Sequence, residues 1–275
     1  LFKASASMSA RSRRSGSQSL QPRQPSRSHE RAVPMRRPVP KINNLRLMVM
    51  PRIYDLRTFG GMIATENLTF QYAPETPVLR FPDVACAAGE RLLLLGDSGC
   101  GKTTLLHLMS GLLRPATGTV TVAGTGLHGL NGRELDRFRG AEVGIVFQRA
   151  HFVQSLTVLQ NLALPGFLSG KGTEGGEERA RAMLERLGIG GKADKRPRDL
   201  SIGEQQRAGI ARALIHSPSV LLADEPTSAL DDRSTERVIA LLESEADRVG
   251  AALVVVTHDT RLKDRYANRV TLNPV

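Results

Sequence analysis

The sequence predicts an α/β fold with a mostly parallel central sheet, an antiparallel β edge subdomain and an inserted helical subdomain. Three observations carry this prediction. Arg91-Leu92-Leu93-Leu94-Leu95 and Val254-Val255-Val256 are continuous apolar runs, the pattern of strands buried on both faces of a parallel sheet. A glycine-rich loop, Gly96 to Thr103, joins the first run to a helical pattern. Before the loop the apolar residues alternate, and well after it, between residues 150 and 216, they recur at helical spacing.

Taken in order, Ile63, Thr65, Leu68, Phe70 and Tyr72 alternate, Pro and Glu mark a turn, and residues 78–81 resume the alternation, which gives the edge sheet. The strand over 91–95 follows. A helix is expected over residues 103–113, since Leu105, Leu106, Leu108, Met109 and Leu112 share a face and Gly111 alone is a weak stop. Strands follow at 118–122 and 143–147. The helical insertion carries helices at 157–164 and 177–187, separated by a glycine-rich loop at 170–176. Short buried strands at 219–223 and 251–257 flank an amphipathic helix over about 233–248. No internal repeat is present.

The chain has 275 residues, enough for one large domain, and a formal charge of +11. Residues 1–61 hold 13 Lys or Arg and two acids, Glu30 and Asp55, so the whole excess lies there; residues 62–275 carry 25 of each sign. The neutral remainder argues against specific nucleic-acid binding. Residues 1–61 read as a disordered basic extension, rich in Ser, Arg, Pro and Gln, with too few apolar side chains to offset chain entropy. Its Arg-rich, Ser-rich, acid-poor character matches an organellar transit peptide; the alternatives are an unconserved tail or a mis-set translation start, with Met62 opening the first strand-like stretch. Cys86 and Cys100 are too few for a disulfide framework or zinc site. No apolar run reaches the roughly 18 residues of a membrane span.

The chemistry centres on Gly96-Asp97-Ser98-Gly99-Cys100-Gly101-Lys102-Thr103, a complete Gly-x-x-x-x-Gly-Lys-Thr match in the strand-to-helix setting it requires. Backbone N–H groups in such a loop cradle phosphate, with Cys100 contributing mainly its amide; Lys102 supplies a point charge, and the Thr103 hydroxyl is a Mg²⁺ ligand. The fold class is therefore that of the P-loop NTPases. Asp224 and Glu225 follow a buried strand at the carboxyl edge of the sheet, where ligands bind. Asp224 suits Mg²⁺ and Glu225 suits a general base toward attacking water. Leu200-Ser201-Ile202-Gly203-Glu204 reads by itself as a helix start.

In order, the P-loop, Gln148, Leu200 to Glu204, Asp224-Glu225, Ser228-Ala229-Leu230-Asp231 and Thr257-His258-Asp259 resemble the full motif series of the ATP-binding cassette (ABC) ATPases. The resemblance spans 62–275. It implies an ATPase using ATP and Mg²⁺, with Gly96 to Thr104 around the phosphates and Tyr72 stacked on adenine. Phe70 is the other aromatic, which strand alternation points the opposite way. It further implies that Gln148 approaches the metal and attacking water, and that His258 holds the γ-phosphate and positions water with Glu225. Ser201, Gly203 and Glu204 would complete the ATP site of a second subunit, and Asp231 would bridge the two sites. The implied partners are a second cassette, as a homodimer, and a separate transmembrane permease. The implied location is cytoplasmic, at the inner face of the cell membrane.

Two positions depart from the commonest Leu-Ser-Gly-Gly-Gln form. Glu204 replaces the glutamine, a change also common in the lipoprotein-release and macrolide-export branch, which the short length, the single cassette and residues 156–165 after Gln148 also resemble. Ile202 replaces a glycine; as a β-branched residue it is tolerated only in an ordinary helical-entry conformation. Export or lipoprotein release is the expected work. The alternatives weighed are a cell-division or envelope-regulatory cassette, and a soluble ATPase acting on nucleic acid or ribosomes.

Overall fold

A computed structural model describes residues 62–169, 176–228 and 230–273. The basic segment 1–61 and, but for Gly176, the glycine-rich loop expected at 170–176 lie outside them. The edge sheet is antiparallel: β1 (Ile63–Phe70) pairs with β2 (Leu79–Arg80), β3 (Val84–Cys86) and β5 (Thr117–Val122), and β5 with β6 (Thr125–Gly126). A bulge interrupts β1 between Glu66 and Thr69, with Asn67 at φ 51°. Opposite it, Gly118 has φ 86°, and a Cβ there would stand 2.4 Å from the carbonyl oxygens of Glu66 and Asn67. Here only glycine meets both the conformation and the approach.

The second sheet has the order β10 (Asn268–Thr271), β4 (Arg91–Leu95), β9 (Ala252–Thr257), β8 (Val220–Asp224), β7 (Val143–Val146), with every neighbouring pair parallel. The two-residue period of its strands divides the interior. Leu93, Leu95, Leu221, Ala223, Leu253 and Val255 join a core with the helical insertion; Leu92, Leu94, Val220, Leu222, Val254 and Val256 join one beneath the edge sheet. Each such Leu or Val contributes about 1.5–3 kcal/mol by burial, which is why the strands tolerate no polar face.

The helices are α1 (Lys102–Met109), α2 (Gly132–Glu142), α3 (Val158–Ser169), α4 (Gly176–Arg186), α5 (Ile202–Leu214) and α6 (Asp232–Val249). Helix α1 is shorter than expected. Gly111, at φ 69°, turns the chain left-handed, and the amides of Leu112 and Leu113 both close on His107 O, at 2.9 and 3.1 Å. Glycine at this position terminates the helix after all. Helix α3 runs past the expected 164 and through Pro165. The pattern missed α2, in which only Leu135 is buried, and the half-buried edge strand β10.

Candidate active site

Parallel pairing decides what meets what. Leu95 lies beside Thr257 in the β4–β9 ladder, and Asp224 beside Val256 in the β8–β9 ladder. The loops leaving β4, β8 and β9 therefore converge at one sheet edge.

Gly101, at φ 91°, delivers the chain from the glycine-rich loop into α1, and no side chain caps that helix. By contrast α2, α5 and α6 begin with side-chain caps from Asn131, Ser201 and Asp231. Lys102 occupies the first position of α1, where the helix dipole disfavours a cation. An uncapped N-terminus bearing a lysine serves an external anion rather than the helix. The Lys102 ammonium is 6 % exposed and donates to Gly96 O and Asp97 O, each at 2.8 Å. Asp97, Ser98 and Gly99 are exposed. Cys100 turns inward: its amide donates to Asp97 O at 3.3 Å, and its thiol packs where a Cβ on Gly96 would come within 2.5 Å. Its amide is thus engaged within the loop and its sulfur buried.

Across from this loop, the Thr103 hydroxyl donates to both oxygens of Asp224, at 3.1 and 3.3 Å. Burial pushes the Asp224 carboxyl above its ordinary range; the Thr103 hydrogen bond opposes the rise and the neighbouring Glu225 charge adds to it. Glu225 adopts φ 47°, unusual for a side chain of its size. The conformation aims its carboxylate between three elements. Oε1 lies 3.5 Å from Lys102 Nζ, while Oε2 accepts from Thr257 Oγ1 at 3.0 Å and lies 2.9 Å from His258 Nδ1.

Gln148, just past β7, donates from Nε2 to Ser228 Oγ at 3.1 Å, and Ser228 donates to Glu225 O at 3.0 Å. Gln148, Ile202, Gln206, Glu225 and Ser228 line one cleft of about 540 Å³. Behind His258, Asp259 accepts from Thr227 Oγ1 at 3.2 Å and is gripped by Arg261, which also bonds Asp232 and Thr235 at the start of α6. Thr227 and Arg261 escaped the sequence reading. Thr227 meets Asp259 from 32 residues away, and Arg261, besides its local contact with Asp259, meets Asp232 and Thr235 from 29 and 26 residues away; no spacing announces those distant pairs.

The remaining expected residues lie around this centre. Thr104 is buried in α1, and its hydroxyl sits 2.8 Å from Tyr72 OH. Tyr72 is 62 % exposed, meeting Phe70 edge to face with centroids 4.8 Å apart. Residues two apart in a strand share a face, so alternation does not separate the two rings as expected; packing does, since Tyr72 lies beyond the end of β1 while Phe70 leans on the core beneath the edge sheet. Ile202 opens α5 with 82 % exposure and without positive φ, as its β-branch requires. Ser201 caps the helix, Glu204 returns a carboxylate to the Ser201 amide at 2.8 Å, and Gly203 lies between them in the first turn. Asp231 caps α6 through the Ser234 amide at 2.9 Å.

Among the described residues no cluster of three or more His, Cys, Asp or Glu forms a metal cage, so a cation here would depend on Thr103, Asp224 and oxygens brought by a ligand. Oxygen donors of this kind fit a hard divalent ion. The described residues also include no helix long and apolar enough to cross a membrane.

Residues 80–228 match the profile of the family described as ABC transporter. The lipoprotein-releasing system ATP-binding protein LolD of Shewanella denitrificans is 42 % identical over 200 residues, covering 73 % of this chain and 86 % of that protein. LolD of Bacteroides thetaiotaomicron is 38 % identical over 212 residues, covering 76 % and 97 %. Among solved structures, the dimeric bacterial ABC transporter cassette MJ0796 superposes with a TM-score of 0.69 at 32 % identity, over 77 % of this chain and 94 % of that one. A second structure of that cassette, a dimeric post-hydrolysis state bound to ADP and Pi, gives the same values.

Proposed function

This chain belongs to the ABC transporter family of ATPases, and from that premise we propose that it hydrolyses Mg-ATP as one half of a dimer that drives a separate membrane permease in lipoprotein release or related export. The observation that carries the reading is the convergence of Lys102, Asp224, Glu225 and His258 at one sheet edge, beside a helix start left uncapped for phosphate. The cassette proper is residues 62–275, with 150–216 as its helical subdomain and 1–61 as an extension outside it.

In this reading the loop amides and Lys102 hold the β- and γ-phosphates, and Tyr72 offers its exposed ring to adenine. Thr103 and Asp224 would hold Mg²⁺, which when bound neutralises phosphate charge. Glu225 accepts a proton from water, with its carboxylate held in position by Thr257 and His258. Gln148 faces the same cleft and reports the state of the site toward the permease. Ser201 and Gly203 serve the second subunit's nucleotide, and Asp231 lies where the two sites meet. The protein then works at the inner face of the cell membrane through its permease, with no specific nucleic acid as partner.

The test is Glu225→Gln. Loss of the base should lower turnover by about 10²- to 10⁴-fold. Mg-ATP affinity should stay within a few-fold, and an ATP-held dimer should accumulate on size-exclusion chromatography. Unchanged turnover would overturn the assignment.

A further inference from the structure

The start of α5 contains a conflict that the proposed role of Ser201 must resolve. Within its own chain the Ser201 hydroxyl donates to Glu204 Oε2 at 3.0 Å, and the same oxygen takes the Ser201 amide at 2.8 Å. A serine has one hydroxyl proton, and an ionised carboxylate can only accept. While Glu204 holds that proton, Ser201 has none to give a second subunit's phosphate. The carboxylate also places a negative charge beside the atom that must approach the triphosphate, a like-charge pairing that disfavours closure. A glutamine would carry no such charge.

The other oxygen of Glu204 meets a cation from a separate element. Lys192 ends the short 3₁₀ turn Gly190–Lys192 that follows α4, and its Nζ lies 3.2 Å from Glu204 Oε1. The turn fixes the lysine backbone through its amide, which donates to Ile189 O at 2.9 Å. The Glu204 carboxyl lies below its ordinary range because of the Ser201 amide and hydroxyl and then Lys192, so it is charged at neutral pH.

Resting on the function proposed above, we propose that Lys192 is a positioning residue of the half-site presented to the second subunit: by pairing with Glu204 it offsets the charge beside Ser201 and weakens the carboxylate's hold on the serine proton, so that an incoming phosphate can draw that proton away. The ammonium lies on the carboxylate oxygen that Ser201 does not use, so it draws on the carboxylate charge without blocking the hydroxyl.

A double-mutant comparison on the full chain tests this. Lys192→Met should raise the ATP concentration for half-maximal turnover about two- to fivefold, the range of a partly exposed ion pair, with the loss shrinking in high salt. Lys192→Arg should restore it. In a Glu204→Gln background, where no charge needs cancelling, Lys192→Met should have no effect on that concentration. A Lys192→Met effect of equal size in both backgrounds overturns the proposal and makes the lysine a packing residue. Ser201→Ala separates the two readings: if it leaves ATP dependence unaltered, the half-site itself is overturned and the proposal with it. If Ser201→Ala is impaired while Lys192→Met acts equally in both backgrounds, only the role of Lys192 falls.

Discussion

Replacing Arg265 with methionine should destabilise the cassette in a pH-dependent way. Arg265 lies seven residues past His258 and pins that segment to α6: its Nε and Nη2 donate to the two oxygens of Glu243 at 2.8 and 2.6 Å, and Nη1 pairs with Glu236. The Glu243 side chain is 10 % exposed and that of Arg265 28 %. Removing one partner of a buried pair costs about 3–5 kcal/mol. Water can follow the shortened side chain to Glu243, so about 2–3 kcal/mol is expected, or a melting temperature lower by about 4–12 °C. The pH dependence follows from the carboxyl. Burial, the largest influence, pushes Glu243 up, and Arg265, Tyr266 and Arg91 together outweigh it, leaving the group below its ordinary range. In the native protein Glu243 therefore adds stability above the ordinary carboxylate pKa, and that contribution is lost as pH falls through its own lower value. In the variant burial is opposed only by Tyr266 and Arg91, and because Arg265 supplies the leading opposing contact the pKa rises. The variant's deficit should be largest near neutrality and shrink as pH falls through about 5 to 4. Thermal unfolding of both proteins at about pH 7.5 and about pH 4.5 measures it. A deficit of equal size at both pH values would refute the reasoning, and Glu243→Gln added to Arg265→Met should recover most of the loss at the higher pH.

His258→Ala removes the ring that lies 2.9 Å from Glu225 Oε2 while leaving Lys102 and the loop untouched. Turnover should fall about 10²-fold, with ATP affinity by equilibrium dialysis within about threefold; a loss confined to affinity would contradict the placement. Gly118→Ala forces a Cβ against two backbone oxygens at positive φ. It should cost about 2–5 kcal/mol in denaturant unfolding, and a variant of native stability would show that the bulge at Asn67 rearranges freely.

What the sequence makes legible depends on whether the information is local. The loop from Gly96 to Thr103 had to be readable, because a backbone that wraps phosphate requires particular glycines in consecutive positions. Ser201 and Glu204 were readable for a similar reason, since a capping box spans three residues. Lys192 was not. It meets Glu204 from a turn twelve residues earlier, and a lysine in a polar loop looks like any solvated charge until the helical insertion folds it over α5. Arg261 and Thr227 escaped for the same reason, and Gly111 was misread because a single glycine signals a helix end only once its φ is known. The hidden residues share a chemical character. None is named by the motif series; each holds or neutralises a residue within or beside it from a distant position, Lys192 at Glu204, Thr227 at Asp259, Arg261 at Asp232. The motif states which groups the reaction needs, while the setting of those groups is written in pairs that cross elements. Differences in rate between cassettes sharing every motif residue should therefore trace to such pairs, and the comparison of Lys192 with and without the Glu204 charge is a direct measurement of one.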